Sequence, residues 1–339
     1  MDNKASDSQV SPVSRPCAST LERVLRDKKF AVTAEIVPPR VPNLSVVGKK
    51  FELLREVADA INITDNASAS VKICSLAVCA YLVQQVGEPV FQVTARDRNR
   101  LALQSDLIGA YALGVRNVFA VTGDYINMGD HPAGKPVYDM DSVHIIQMFD
   151  KIRHGYMDSG VELRSTSKTP LVQPNFFLGA AANPFGDPMP FHVLKVAKKR
   201  LAGADFIQTQ CTFDVPRVRE FMAMVVDKGF HERLHFLIGI MPVKSARPLE
   251  FMSTEVPGMR VPAEAIARMK GAQNAEEEGI QMAVETIQQV REIPGVSGIH
   301  LMTVSWEAVV PEVLKRAGLM PEQRGVVEIH AAAKSGIAS

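Results

Sequence analysis

The chain has 339 residues, 46% hydrophobic and 22% charged, with a formal net charge of +1. That is enough apolar material for one large buried core, and the near-neutral charge removes the electrostatic case for nucleic acid or an anionic membrane surface as partner. No run of about 18 apolar residues occurs, so no membrane span is expected, and four cysteines (Cys17, Cys74, Cys79 and Cys211) without metal-type or secreted-framework spacing fit a reducing cytoplasm.

Residues 1–19 are polar, with scattered Ser and Pro and no apolar signal core, and read as a disordered arm. After them a short apolar, β-branched run ending in a polar residue recurs eight times: Phe30 to Val37, Ala60 to Thr64, Pro89 to Ala95, Asn117 to Gly123, Phe176 to Asn183, Phe206 to Phe213, His235 to Val243 and Gly298 to Val304. Helical stretches alternate with these strands at Gly48 to Val57, Val71 to Val86, Asn99 to Leu113, Asp141 to His154, Phe191 to Leu201, Val215 to Lys228 and Val309 to Ala317. Gly114, Gly203, Gly229 and Gly318 follow such stretches as helix-ending glycines do. Near-continuous hydrophobicity suits parallel strands buried on both faces. The expected fold is therefore a single-domain (β/α)8 TIM barrel over residues 20–325, with a tail at 326–339. Two insertions, residues 124–140 and Leu249 to Gln289, lengthen the connections after the fourth and seventh strands, where barrels carry lids and ligand contacts. Gly155 to Pro174 is irregular and polar.

Reactive groups in such a barrel lie at the C-terminal ends of the strands, here Glu35, Thr64, Asp65, Gln92, Asp124, Asn183, Gln210, Lys244 and Ser305. Glu35 stands in an apolar strand before two prolines; burial there favours its protonated form and suits a general acid, unless Arg96 or Arg98 pairs with it. Gly123 before Asp124 allows a flat ligand to approach the backbone, although Asp124 also suits a turn or helix cap. The small residues Ala180 to Pro184 offer a flat wall, or simply pack. Lys198 and Lys199 are placed to meet a phosphate, or to be solvated on a helix face. Cys74 and Cys79 read as small buried residues near one helix face, and His300 as a core histidine. The histidines form no metal-type pair, so no metal site is expected. Neither a GxGxxG dinucleotide loop nor a GxxxxGK[ST] loop is present.

Six segments occur in register, one per strand end: TAEIVPPR with Glu35, INITDN with Thr64, VTGD with Gly123 and Asp124, GAAANP, KKRLAGADFIQTQ and GIMPVKS. Together they resemble the methylenetetrahydrofolate reductase family over about residues 20–320, nearest to the bacterial form also fused to homocysteine methyltransferase domains. The resemblance implies a flavin at the barrel mouth, usually FAD with FMN as the alternative, and a tetrahydrofolate substrate. It implies interconversion of 5,10-methylenetetrahydrofolate and 5-methyltetrahydrofolate by ping-pong hydride transfer. Glu35 then corresponds to the catalytic acid/base, Asp124 to the aspartate beside flavin and pterin, and Gln210 to the pterin-binding glutamine. Thr64, Tyr138, Ala181 and Lys199 correspond to flavin contacts. Gln92, Thr122, Asn183 and His192 occupy family flavin positions with different residues. Ala246 replaces a stacking aromatic and Trp306 a common arginine. These departures leave the electron donor open between NADH, NADPH and a protein partner such as an iron–sulfur subunit, in which case the chain is a binding subunit active only with that partner. By analogy with related barrels a homo-oligomer is expected. Two rival chemistries are a Schiff-base aldolase using Lys244 and metal-assisted catalysis using Glu35, Asp65 and Asp97.

Overall fold

In the computed structural model, residues 15–164 and 173–326 are described. Eight parallel strands close into a barrel in sequence order: β1 (Ala31–Ile36), β2 (Ala60–Ile63), β3 (Pro89–Thr94), β4 (Asn117–Val121), β5 (Phe177–Ala182), β6 (Phe206–Cys211), β7 (His235–Ile240) and β8 (Val296–Leu301), with β8 pairing back onto β1. The helices are α1 (Thr20–Arg26), α2 (Leu44–Leu54), α3 (Ser75–Gln84), α4 (Arg100–Ala112), α5 (Ser142–Arg153), α6 (Met189–Leu201), α7 (Val215–Asp227), α8 (Ala246–Glu255), α9 (Ala263–Gly271), α10 (Ala275–Arg291) and α11 (Val310–Arg316). The expected (β/α)8 barrel is thus the observed fold. The helix-ending glycines at 114, 203, 229 and 318 all have positive φ, which only glycine adopts without strain.

Strand side chains alternate between two cores. Val32, Ala34 and Ile36 of β1 point outward into the layer shared with the helices. Ala31 points inward and joins Ala60, Val90, Phe119, Phe177, Phe206 and Leu237 in a separate core inside the barrel. The Phe177 and Phe206 rings stack there at 4.9 Å between centroids. Further along the same inward rows the residues become polar: Thr33 then Glu35 on β1, Asn62 on β2, Gln92 on β3, Gln208 then Gln210 on β6, and His300 on β8. The barrel interior is therefore greasy at its N-terminal end and hydrogen-bonding at its C-terminal end.

The N-terminal end is stoppered by α1, a helix absent from the sequence-based expectation because its seven residues are too few for a periodic signal. Leu21, Val24 and Leu25 of α1 close the inner core. Half-buried Glu88 accepts hydrogen bonds from the Thr20 and Leu21 backbone N–H groups at the start of α1, at 2.8 and 2.9 Å. From residues 15–19, expected as part of the disordered arm, Arg15 hydrogen-bonds Asn175 at 2.6 Å; residues 1–14 and 327–339 of the expected arm and tail lie outside the described residues. Arg324 clips the same end by pairing with buried Asp59 at 2.7 Å and donating to the Phe30 carbonyl at 2.9 Å.

The insertion after β7 folds as α8 and α9 ahead of α10, around a small core of Val243, Leu249, Met252 and Met269. The Asn183 side chain donates to the Gly258 carbonyl of this insertion at 3.0 Å, and Arg260 pairs with Asp214 at 2.7 Å. No described helix is long and apolar enough to cross a membrane.

Candidate active site at the C-terminal mouth of the barrel

A cavity of about 590 Å³ opens at the C-terminal end of the strands, within the range of pockets that hold small molecules and cofactors. Its floor is a hydrogen-bonded layer. Asn62 Nδ2 donates to Gln208 Oε1 at 2.7 Å, and Gln208 Nε2 donates to Thr33 Oγ1 at 3.0 Å. His300 Nδ1 lies 2.9 Å from that same hydroxyl. The four side chains of this layer are hydrogen-bonded to one another, as burial in low dielectric favours.

Glu35 rises from this floor, its side chain 16% exposed and its Oε2 atom 3.7 Å from His300 Nε2. Gln92 Nε2 donates to the same oxygen at 3.4 Å. Neither arginine offered by the sequence pairs with Glu35. Arg98 binds Asp65 at 2.7 Å and Asp106 at 2.8 Å, while Arg96 binds Asp97 at 2.8 Å. Burial disfavours the charge on Asp97, but the Arg96 hydrogen bonds outweigh it and hold the carboxyl below the usual range. Arg96 itself is 2% exposed and reaches the backbone carbonyls of Asp124 and Asn66, both at 3.1 Å. It ties the loop after β2 to the loop after β4.

These two loops interlock beside the cavity. The Ser68 N–H donates to Asp124 Oδ2 at 2.7 Å, and Asp130 accepts from the Val71 N–H at 3.2 Å. Gly129 lies so close that a Cβ there would sit 1.8 Å from the Ala69 carbonyl oxygen. Asn66, Ser68 and Ala69 all take positive φ, a strained segment of the kind that clusters at functional sites. Asp124 is thus aimed by its neighbour loop, and Gly123 (φ +94°) turns the chain so that it packs on Thr94 and Arg96.

The opposite wall comes from β5 and α6. Ala181, Ala182 and Asn183 line it, and His192, Lys195, Val196 and Lys199 form one helical face of α6 toward the cavity. The Lys199 ammonium donates to the Ala181 carbonyl. Burial, with the nearby Lys195 charge, lowers Lys199 to about 8. Burial and Lys195 also lower His192. Gln210 Oε1 accepts from the Cys211 N–H at 3.1 Å. The buried Thr64 hydroxyl, also on the cavity wall, has no partner among the described residues.

The cavity therefore brings together Glu35, Thr64, Gln92, Gly123, Asp124, Ala181, Asn183, Lys199 and Gln210 from the sequence-based set. Thr122 and Tyr138 stand outside its lining. The Thr122 hydroxyl accepts from the Ser142 N–H at 3.3 Å, because strand alternation turns it away from Val121 and Gly123. The Tyr138 hydroxyl donates to the Asp124 carbonyl at 3.4 Å, and burial raises its pKa. Lys244 is exposed and stacks on Trp306 at 5.3 Å, away from the cavity lining a Schiff base would need. Among the described residues no His, Cys, Asp and Glu group is arranged to hold a metal ion, and Asp65 and Asp97 are paired with arginines. Cys79 is buried as expected, whereas Cys74 is exposed and precedes α3. Gln208, Lys195 and the bridging role of Arg96 were not foreseen. The signal for Gln208 was its spacing, two residues before Gln210 on one strand.

A model of the family described as methylenetetrahydrofolate reductase matches residues 20–318. The chain belongs to the methylenetetrahydrofolate reductase family. Methylenetetrahydrofolate reductase 2 of Schizosaccharomyces pombe is 27% identical over 258 residues, covering 70% of this chain and 36% of that protein. A probable methylenetetrahydrofolate reductase (NADPH) of Caenorhabditis elegans is 22% identical over 318 residues, covering 88% and 44%. The chain spans less than half the length of both relatives. Among solved structures, an uncharacterised Clostridium thermocellum protein that binds two copies of 5-methyl-5,6,7,8-tetrahydrofolic acid superposes with a TM-score of 0.63 at 13% identity, over 91% of this chain and all of that one. The EDTA monooxygenase of Chelativorans sp. BNC1 gives 0.53 at 10% identity, over 89% and 95%. At these identities the structural likenesses speak to the barrel, and the family model to the methylenetetrahydrofolate reductase assignment.

Proposed function

We propose that this barrel carries the flavin-dependent interconversion of 5,10-methylenetetrahydrofolate and 5-methyltetrahydrofolate. The observation that supports it is the convergence of Glu35, Asp124 and Gln210 on one cavity, in a chain matching the reductase family from residue 20 to residue 318.

The cavity suits a flavin on three counts. The Gly123, Ala181 and Ala182 walls leave room for a flat ring, Thr64 holds a buried hydroxyl without a partner among the described residues, and the Lys199 ammonium at the cavity wall donates to the Ala181 carbonyl. Bound there, a flavin supplies a reversible hydride carrier. Thr64, Gly123, Ala181 and Asn183 would hold its ring and ribityl portions, and Lys199 its phosphate, with Gln92 against Glu35 on the far side. Glu35 delivers a proton to the folate nitrogen as the five-membered ring opens, and takes it back in the reverse direction. Asp124, fixed by the Ser68 N–H, sets a negative charge where the opened ring becomes cationic. Gln210 offers its amide to the pterin edge.

The test is the absorbance spectrum of the purified chain reconstituted with FAD or FMN, followed anaerobically through addition of NADH, NADPH and then methylenetetrahydrofolate. Bleaching by a nicotinamide and recovery with folate are expected for a self-sufficient enzyme. Recovery with folate after dithionite but no bleaching by nicotinamide assigns the reduction to a partner protein, in keeping with Ala246 in place of a stacking aromatic. Failure to bind flavin overturns the reading.

A further inference from the structure

Along the solvent face of α4, Leu101, Ser105, Ile108 and Ala112 follow one another at spacings of four, three and four residues and so lie in one row. All four are exposed, Leu101 by 74%. The row carries no charge. The two charged residues of the helix are engaged elsewhere, Arg100 with Asp139 at 2.9 Å and Asp106 with Arg98 at 2.8 Å. On the outer face of α10, by contrast, Glu277 and Glu285 form ion pairs with Arg316 and Arg268. Gly109 stands beside Ser105 and Ala112 in the middle of the α4 face, where a Cβ would meet nothing within 4 Å. No described neighbour requires a glycine there, although glycine weakens a helix interior relative to alanine. A bare position of this kind admits close approach by a second backbone. The apolar surface continues onto the loop of residues 155–163, which is tied to α4 by the Asp158 N–H donating to Gln104 Oε1 at 2.8 Å and which exposes Tyr156 and Val161.

We propose that this face of α4 is a homodimer interface, in which two copies of the chain lay the row against each other, antiparallel across a twofold axis. The row itself selects a second copy as the occupant. A twofold axis brings a surface against its own image, so a charge near the axis would meet a like charge, and the row has none. With the axis between Asp106 and Leu107, Leu101 falls opposite Ala112 of the second copy and Ile108 opposite Ser105, a large side chain against a small one at each step. Packed helices interdigitate in this way. A stable dimer buries about 800 Å² on each partner, more than one helical row supplies, and the exposed Tyr156 and Val161 beside it enlarge the apolar area available. None of these residues lines the cavity, so the oligomeric state tests the interface independently of the reading of the site.

Sedimentation of the purified full chain at micromolar concentration is expected to give a dimer or a multiple of one. Ile108→Lys sets two ammonium groups near the axis and should weaken association at least tenfold, halving the sedimenting mass while the circular dichroism spectrum stays unchanged. Cross-linking reads the pairing, and decides the matter if that variant fails to fold. In a background of Cys17→Ser and Cys74→Ser, Leu101→Cys combined with Ala112→Cys should give a disulfide-linked dimer on copper–phenanthroline oxidation. Leu101→Cys alone should not, because its own image lies roughly 16 Å away along the helix axis. A monomeric chain, an oligomer that a folded Ile108→Lys leaves intact, or single and double cysteine variants that behave alike would each overturn the proposal.

Discussion

Glu35 is a carboxylate held by neutral or weakly basic neighbours, Gln92 and His300, and not neutralised by either nearby arginine. That setting, without a structural ion pair to an arginine, is in keeping with the proton-carrying role proposed for Glu35. Glu35→Gln is expected to leave the barrel folded and flavin bound while lowering folate turnover by about 10² to 10⁴, the usual contribution of a positioned general acid; stopped-flow reoxidation of the reduced protein by folate measures it. Lys199 gives a pH prediction. With its folded value near 8, below the ordinary lysine range, the ammonium is present below that pH and lost above it. Affinity for a flavin phosphate should therefore weaken as pH rises through about 8, by up to roughly tenfold per unit, and Lys199→Met should flatten that dependence in fluorescence titrations. The linkage has the opposite sign for the unliganded chain. Its unfolded form keeps the proton to higher pH, so the folded form gains stability with rising pH across the same alkaline window.

At the scale of elements, the mouth depends on loops held by one another. The loops after β2 and β4 share Arg96, the Ser68–Asp124 hydrogen bond and the Gly129–Ala69 contact. Asn183, assigned from sequence to a cofactor, spends its amide on Gly258 and on the Phe185 N–H, and so also anchors the insertion after β7 to β5. That insertion is seated through α10. A Cβ at Gly279 would stand 1.7 Å from the Val243 carbonyl oxygen. Gly279→Ala must push α10 off the end of β7, and we expect a loss of roughly 1–3 kcal/mol, the usual penalty of overpacking, visible as a lowered thermal midpoint. An unchanged midpoint would mean that the helix shifts without cost.

For the whole molecule, the structural closures and the proposed chemistry occupy opposite ends of the barrel. The N-terminal end is closed by α1 on Glu88 and by Arg324 on Asp59, a pair with side chains 1% and 0% exposed. Burial raises the Asp59 pKa, and Arg324 works against that. Arg324→Met should cost about 3–5 kcal/mol, because it strands a buried carboxylate. The sign with pH follows. A carboxylate whose folded value is raised binds its proton more readily folded than unfolded, so the variant's deficit should shrink on acidification as Asp59 becomes neutral. Denaturant midpoints at acidic and neutral pH check this; an equal deficit at both would show that Asp59 is not the stranded charge.

The eight apolar runs and the glycines between them were enough to specify the barrel, because burial on both faces of a parallel strand and the positive φ of a helix-ending glycine are local demands written directly into residue type. The same runs placed Glu35, Asp124 and Gln210 at strand ends. What residue type alone could not decide was the partner of each polar side chain. Arg96 and Arg98 are as close in sequence to one acid as to another, and only the closure of β8 onto β1 sets His300 beside Glu35 and Thr33. Alternation along a strand likewise turned Thr122 outward while keeping Gly123 on the cavity. Hydrogen bonds between strands distant in the chain depend on register and barrel closure, and these are properties of the assembled sheet and not of any one segment.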